Sequence, residues 1–305
     1  MVKKHIFGSL YLSLAASIWG GMYVVSKYVL TFVPPFTLLW LRYVIAFLLL
    51  AAILFFSREY KIGRRDWFTV AGIGFVGYFL SVGAQFVGTK WSDAHTGALI
   101  TSASPAFILL FARLILKESL TVRKLCALIL STIGVIIVVG WGSGEQNNLW
   151  GDLFLVIAAV TWALLSVFAK QASQRLSSLA VTTYALLFAI LYTTPVMFWE
   201  LSRVDVIFPT RPLLWWGILY LGVVSTAGAF FLWNKGMELM DAGVGSLFFF
   251  FQPLVGSFLG WLLLGERLDW RFFAGGIFII AGVLLSNLQK DKRLYVIKGN
   301  PVDWE

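Results

Sequence analysis

Two cations stand where a membrane would make them costly. Lys27 and Arg42 lie within long apolar runs, while the other Lys and Arg residues fall in connections or at run ends. An unpaired charge at such depth costs about 2.5 to 3.5 kcal/mol on insertion scales. Arg42 sits about seven residues, some 10 Å at helical rise, inside the end of its run. It reads as a cation facing a wet cavity or a partner. The plainer alternative is a guanidinium that bonds freed carbonyls or snorkels outward, and Lys27, nearer its helix end, has the shorter way out. A cation in a cavity favours substrates that carry a carboxylate, such as amino acids.

Uncharged polar residues mark the faces that such a cavity needs. Gly97, Thr101 and Ser104 fall at i, i+4 and i+7 on one helical face. Pro105 follows directly and frees the carbonyl of Thr101, four residues back. At a distance of 148 residues the pattern returns as Gly245, Phe249, Gln252 and Pro253. Freed carbonyls are tolerated in lipid only beside protein or water, which turns both faces inward and makes the prolines candidate kinks for gating. Another stripe joins Gly74, Gly77, Ser81, Gln85 and Gly88, with Tyr78 at its middle. Its counterpart carries Gly222, Ser225, Thr226, Trp233, Asn234 and Gly236. Small residues also let helices pack closely. Gln85, Gln252 and Asn234 are harder to explain as packing, and interhelical hydrogen bonds compete with substrate contact for them. Trp19 and Trp162 lie mid-helix, away from the aromatic belts where many of the fourteen Trp residues belong. The candidate substrate-binding set is thus Trp19, Lys27, Arg42, Tyr78, Gln85, Thr101, Ser104, Trp162, Trp233, Asn234 and Gln252.

Several chemistries are missing. There is no HExxH, GxSxG or Walker lysine motif, and two histidines, His5 and His95, make no metal cluster. No cofactor is expected, and no enzyme or nucleotide-driven pump. Every Asp and Glu falls in a loop or at a span end, so a relay of buried acids is absent too. Proton coupling would have to use an edge carboxylate, His95 or the substrate itself; exchange against a counter-substrate is the other option.

The elements that position these residues are membrane helices. With 59% hydrophobic and 13% charged residues among 305, the chain is far more apolar than soluble domains, which run about 25% charged. Charge-poor runs of roughly twenty residues, enough to span a bilayer, fill nearly all of it. The spacing predicts ten helices, at about 6–31, 35–57, 67–89, 94–116, 122–141, 150–171, 178–200, 212–235, 244–264 and 270–289. The N-terminal run is too long for a signal-peptide core and is expected to be retained. The net charge of +9 does not indicate nucleic acid, because the cations sit in short connections. With an inside N-terminus, seventeen Lys and Arg fall on the cytoplasmic side and five outside, apart from Lys27 and Arg42. This bias puts both termini in the cytoplasm of a multi-pass protein, as in a bacterial-type plasma membrane. Cys126, alone of its kind, excludes an internal disulfide.

Asp93 to Val135 aligns without a gap on Asp241 to Val283, with thirteen identities in forty-three positions. Among them are Pro105 with Pro253, Glu118 with Glu266 and Gly134 with Gly282. The first helices match at an offset of 143, Trp19 and Lys27 against Trp162 and Lys170. GSGEQNN at 142–148 divides the halves. Residues 1–142 and 149–290 are expected to be two units, followed by a cytoplasmic tail at 291–305. Five helices is an odd number, so the second unit enters the membrane from the opposite side. The fold class is therefore all-α integral membrane, ten transmembrane helices as two inverted five-helix repeats, a building plan of secondary transporters.

On Trp19-Gly20 with Lys27, Pro35 with Arg42, and Pro105 to Glu118 echoed by Pro253 to Gly265-Glu266-Arg267-Leu268, the chain resembles the drug/metabolite transporter superfamily, specifically its EamA-type exporters. The resemblance spans about residues 6–289. It implies a central cavity lined by the first four helices of each half, with the fifth and tenth outside, and outward movement of amino acids, other metabolites or toxic compounds. One departure is Lys117-Glu118-Ser119 where the second copy has Gly-Glu-Arg. Glu118 and Glu266 read as helix-end structure and not as substrate ligands. The leading expectation is a secondary transporter of small metabolites in a lipid bilayer, working by alternating access. A non-transporting scaffold or receptor, a passive channel and a membrane enzyme are the competing readings; the polar stripes argue against the first, and no catalytic set converges for the last.

Overall fold

Proline opens helices here and helical breaks fall where the sequence frees the backbone. The computed structural model describes residues 2–91, 100–139, 149–203, 211–264 and 270–287. Among them there is no strand. The helices are α1 (Val2–Val29), α2 (Pro35–Ser57), α3 (64–91), α4 (Ser104–Ile115), α5 (Val122–Val139), α6 (Leu149–Ala172), α7 (Ser178–Leu201), α8 (Pro212–Leu239), α9 (242–264) and α10 (Trp270–Asn287). Pro35 and Pro212 stand in the first turn of α2 and α8, where a missing N–H has no helical partner to lose. Eight of the helices are long and apolar enough to cross a membrane; α1 runs 28 residues, and α4 is a shorter apolar helix.

Two departures from the expected helices matter for the site. The fourth span, expected whole over 94–116, is interrupted by a turn at Ser102 and Ala103 and restarts at Ser104. Pro105 explains it: Ser104 Oγ donates to the freed carbonyl of Thr101 at 2.7 Å. At the equivalent place α9 tightens to a 3-10 stretch, Ser246–Phe250, ahead of Pro253. Helices α3 and α8 widen instead, into π segments at Gly74–Ser81 and Tyr220–Gly228. Such segments turn carbonyls out of the helical ladder. Tyr43 OH donates to the carbonyl of Tyr78 at 2.5 Å, and Trp19 Nε1 to that of Ser225 at 3.1 Å.

The halves meet through contacts that recur under the offsets of 143 and 148. A Cβ at Gly88 would stand 2.7 Å from Leu155 and 3.0 Å from the carbonyl oxygen of Gly151; one at Gly236 would stand 2.5 Å from Leu12 and 3.1 Å from that of Gly8. Gly74 lies likewise on Phe188 and Gly222 on Ile45. In the α5–α10 pair, Gly134 lies on Gly275 and Ile279, and Gly282 on Ala127 and Ser131. Each contact has its mirror, which is the signature of a two-fold relation between halves.

That relation is inverted. The start of α1 packs on the end of α8 through Gly8 and Gly236, and the start of α6 on the end of α3 through Gly151 and Gly88. Helices α1, α2 and α3 run up, down and up, so the end of α3 lies at the face opposite the start of α1. The start of α6 lies there with it. Large apolar side chains face outward around the bundle, such as Phe56 and Phe68 at 82% exposed and Ile277 at 68%. A coat of this size is what lipid covers. Gly134→Leu is expected to lower the melting temperature of the detergent-solubilised protein, by about 1–3 kcal/mol of overpacking. Gly72→Ala, with nothing within 4 Å of its Cβ position, should not lower it; equal losses would contradict the close approach of α5 and α10.

Candidate functional site

Between the halves lies a cavity lined by Trp19, Met22, Arg42, Ser81, Val82, Gln85, Thr101, Ser104, Ala158, Ala159, Trp162, Phe230, Phe249 and Gln252. These residues come from α1, α2, α3, the stretch leading into α4 and its first residue, α6, α8 and α9. Helices α5 and α10 contribute none. Nor does α7, where the offset puts Ala185 in place of Arg42; Ala185 is fully buried and its carbonyl receives Gly74. The cavity is accordingly lopsided, with its cation on one half alone.

Arg42 is 1% exposed, which excludes snorkelling. Its Nε donates to Thr226 Oγ1 at 2.7 Å, and Nη2 stands 3.5 Å from both Ser225 Oγ and Met22 Sδ. Thr226 Oγ1 in turn donates to the carbonyl of Leu221, five residues back in the π segment of α8. Among the described residues no carboxylate pairs with Arg42 and Nη1 has no acceptor. One edge of the guanidinium is held in place, Nη1 is buried without a partner, and the residue lines the cavity. Among the described residues no acidic side chain lines the cavity.

Four aromatic rings form the wall beside it. Trp19 and Trp162 meet edge-on at 5.1 Å, and Phe230 and Phe249 stand 5.9 and 6.1 Å from Trp19. Seven of the residues expected from the sequence thus come together around one space: Trp19, Arg42, Gln85, Thr101, Ser104, Trp162 and Gln252. Tyr78, Trp233 and Asn234 do not line it. They form a layer behind it, in which Asn234 Nδ2 donates to Tyr78 OH at 3.0 Å and to Thr182 Oγ1 at 2.8 Å. Trp233 Nε1 donates to Ser166 Oγ at 3.1 Å, and Tyr78 stacks on Phe230 at 4.6 Å. The side chain of Lys27 lies outside the described residues, as do His95, Gly97 and Glu266. Pro105 lies one residue beyond Ser104, and Pro253 one beyond Gln252, so both breaks abut the cavity wall.

Met22, Val82, Phe230 and the Ala158–Ala159 pair escaped sequence reasoning because apolar residues in apolar helices carry no polar signal. Val82 and Phe230 are equivalent under the offset of 148, and both line the cavity.

A second cluster ties the halves together at the face where α1 begins. Glu118 accepts from the backbone N–H groups of Ala242 and Gly243 at 2.8 and 3.1 Å, at the start of α9, where a carboxylate also suits the helix dipole. It lies 3.3 Å from Lys170 and 3.7 Å from Lys124; Lys124 reaches Asp241 at 3.1 Å. Lys170 also donates to the carbonyl of Met240. Arg175 and Asp66 pair across the halves at 3.1 Å.

Paired halves around a partly polar cavity, coated with apolar side chains, define an integral multi-pass membrane protein of the two-repeat helical class. The family model described as the EamA-like transporter family matches residues 6–140 and again 149–288. The chain belongs to that family, within the drug/metabolite transporters. It is a membrane transporter. It is similar to the uncharacterized transporter YetK of Bacillus subtilis (strain 168), 28% identical over 296 residues covering 95% of this chain and 89% of that one. It is also similar to a protein of Chlamydia muridarum (strain MoPn / Nigg) named as an S-adenosylmethionine/S-adenosylhomocysteine transporter, 26% identical and covering 93% and 92%. A solved crystal structure shares the fold with a TM-score of 0.78 at 19% identity, covering 92% of this chain and 96% of that one.

Thr226→Val removes the acceptor that Arg42 Nε uses and leaves a buried donor unpaired, a cost of about 1–3 kcal/mol. Thermal denaturation in detergent should show this loss, and Thr226→Ser, which keeps the hydroxyl, should restore most of it.

Proposed function

We propose that the protein exports small carboxylate-bearing metabolites, amino acids or compounds related to them, by alternating access through the central cavity. The observation that carries this reading is Arg42: a buried guanidinium with Nη1 unbonded and, among the described residues, no carboxylate partner and no acidic side chain in the cavity that it lines. An incoming anion supplies what the protein withholds, in surroundings where a charge pair is little screened. The Chlamydia relative is named for S-adenosylmethionine and S-adenosylhomocysteine, both amino-acid derivatives with a carboxylate, which supports the same class. Trp19, Gln85, Thr101, Ser104, Trp162 and Gln252 would contact the substrate directly. Tyr78, Trp233 and Asn234 would hold the wall, and Lys27 would serve near the opposite mouth.

Two units, 1–142 and 149–290, would rock about the cavity, with Pro105 and Pro253 as the places where the wall bends. The pairs Glu118–Lys170, Lys124–Asp241 and Asp66–Arg175 all join one half to the other at a single face. Opening that face requires breaking them, so they would act as its latch. In the proposed orientation both termini, the tail at 291–305 and this latch face the cytoplasm of a bacterial-type plasma membrane. Movement would be coupled to protons or to a counter-substrate.

Counterflow in proteoliposomes tests the proposal. A panel of labelled amino acids, the matching amines and neutral amides should show saturable exchange of carboxylates by the parent protein and a loss of about tenfold or more in Arg42→Gln. Equal uptake of carboxylates and amines by parent and variant would remove the role given to Arg42, and flux without saturation or counterflow would indicate a channel.

A further inference from the structure

Arg42 is not alone among the lining residues in having a buried, unused donor. Four buried side-chain polar atoms among the described residues lack a hydrogen-bond partner, and two of them, Arg42 Nη1 and Trp162 Nε1, belong to residues that line this one cavity. Both are only 1% and 9% exposed as residues. A buried indole N–H ordinarily finds a partner, and leaving it without one costs free energy. The repeat makes the omission sharper. Trp19, the equivalent of Trp162 at an offset of 143, donates its Nε1 proton to the carbonyl of Ser225 at 3.1 Å. Trp162 makes no such bond, although its ring is fixed against Trp19, Phe230 and Phe249 at 5.1, 6.0 and 6.2 Å.

We infer that the transported ligand carries, besides the anionic group received by Arg42, a second and uncharged hydrogen-bond acceptor that seats on Trp162 Nε1, making Trp162 a specificity-determining residue. The inference deepens the proposed function and rests on the cavity being the transport site. Indole Nε1 is a donor only, so an ammonium or another N–H placed there meets like with like. A second carboxylate is also a poor occupant, since the surrounding ring faces carry negative potential and Arg42 is the only cation of the lining among the described residues. A carbonyl, ether or ring-nitrogen acceptor satisfies the N–H without adding charge. The four rings receive a planar or apolar body beside it. The class is therefore a carboxylate with a planar or apolar portion and a neutral acceptor set apart from the carboxylate.

Two acids isolate the acceptor. 4-Phenylbutyrate and 4-oxo-4-phenylbutyrate share carboxylate, chain length and ring, and differ at one carbon, a methylene against a ketone. Binding of each, tritiated, to purified full-length protein is measured by scintillation proximity. The parent protein should prefer the keto acid by about threefold to tenfold, the range of one net hydrogen bond. In Trp162→Phe, which keeps a ring and removes the donor, the ratio should fall to about one. In Trp19→Phe, whose donor is already spent on Ser225, the preference should persist. A parent ratio of one overturns the inference without recourse to any variant, and so does a preference that survives in Trp162→Phe. Should Arg42→Gln bind both acids as tightly as the parent, or the parent bind neither, it is the carboxylate reading beneath the inference that fails.

Discussion

A guanidinium is buried in the middle of a membrane protein with two hydroxyls and a thioether for company. Everything else about the site follows from keeping Arg42 there. Its desolvation is offset in part by Thr226 and Ser225, which hold one edge, in a residue that lines the cavity. The hydroxyls are in place because α8 opens into a π segment, where Thr226 Oγ1 reaches back five residues to Leu221. The site therefore depends on irregular backbone in a helix whose interior would otherwise be closed.

The same irregularity recurs in α3, and the duplicated architecture explains why. Two copies of one folding unit, facing opposite ways, bring their third helices to equivalent places. The glycines that let α3 lie on α6 and α7 are those that let α8 lie on α1 and α2. Symmetry of packing is combined with asymmetry of chemistry. Arg42 faces Ala185 in the repeat, Thr101 faces Phe249, and the satisfied Trp19 answers the unsatisfied Trp162. The packing is two-fold, while the side chains that line the cavity are unequal.

Much of this was legible in the sequence for a physical reason. Glycine, proline and charge have few tolerated positions in a membrane helix, so their registered recurrence reports the fold directly. Gly88 with Gly236 and Gly134 with Gly282 were visible as pairs, and their contacts are paired as well. Arg42, Gln85, Thr101, Ser104 and Gln252 stood out because a polar group in an apolar run requires a reason. Tyr78 and Asn234 met the same criterion and have a different reason: they satisfy each other behind the wall. Sequence alone does not separate these cases, because both lie on inward faces a turn apart. The π segments were hidden, since the glycines that mark them serve close packing equally well. The ion-pair cluster was half visible: Glu118 read as helix-end structure and indeed holds the start of α9, yet Lys124 and Lys170 come to it only through the tertiary fold.

The account stands on position 42 being wet. A cysteine there, in a Cys126→Ser background, can be exposed to a hydrophilic, membrane-impermeant thiol reagent and its rate compared with that of Leu39→Cys, a fully buried neighbour on α2 that does not line the cavity. The account predicts modification at position 42 at least tenfold faster than at position 39. Equal, slow rates would mean that Arg42 is sealed in packed protein, and the cavity reading would be contradicted.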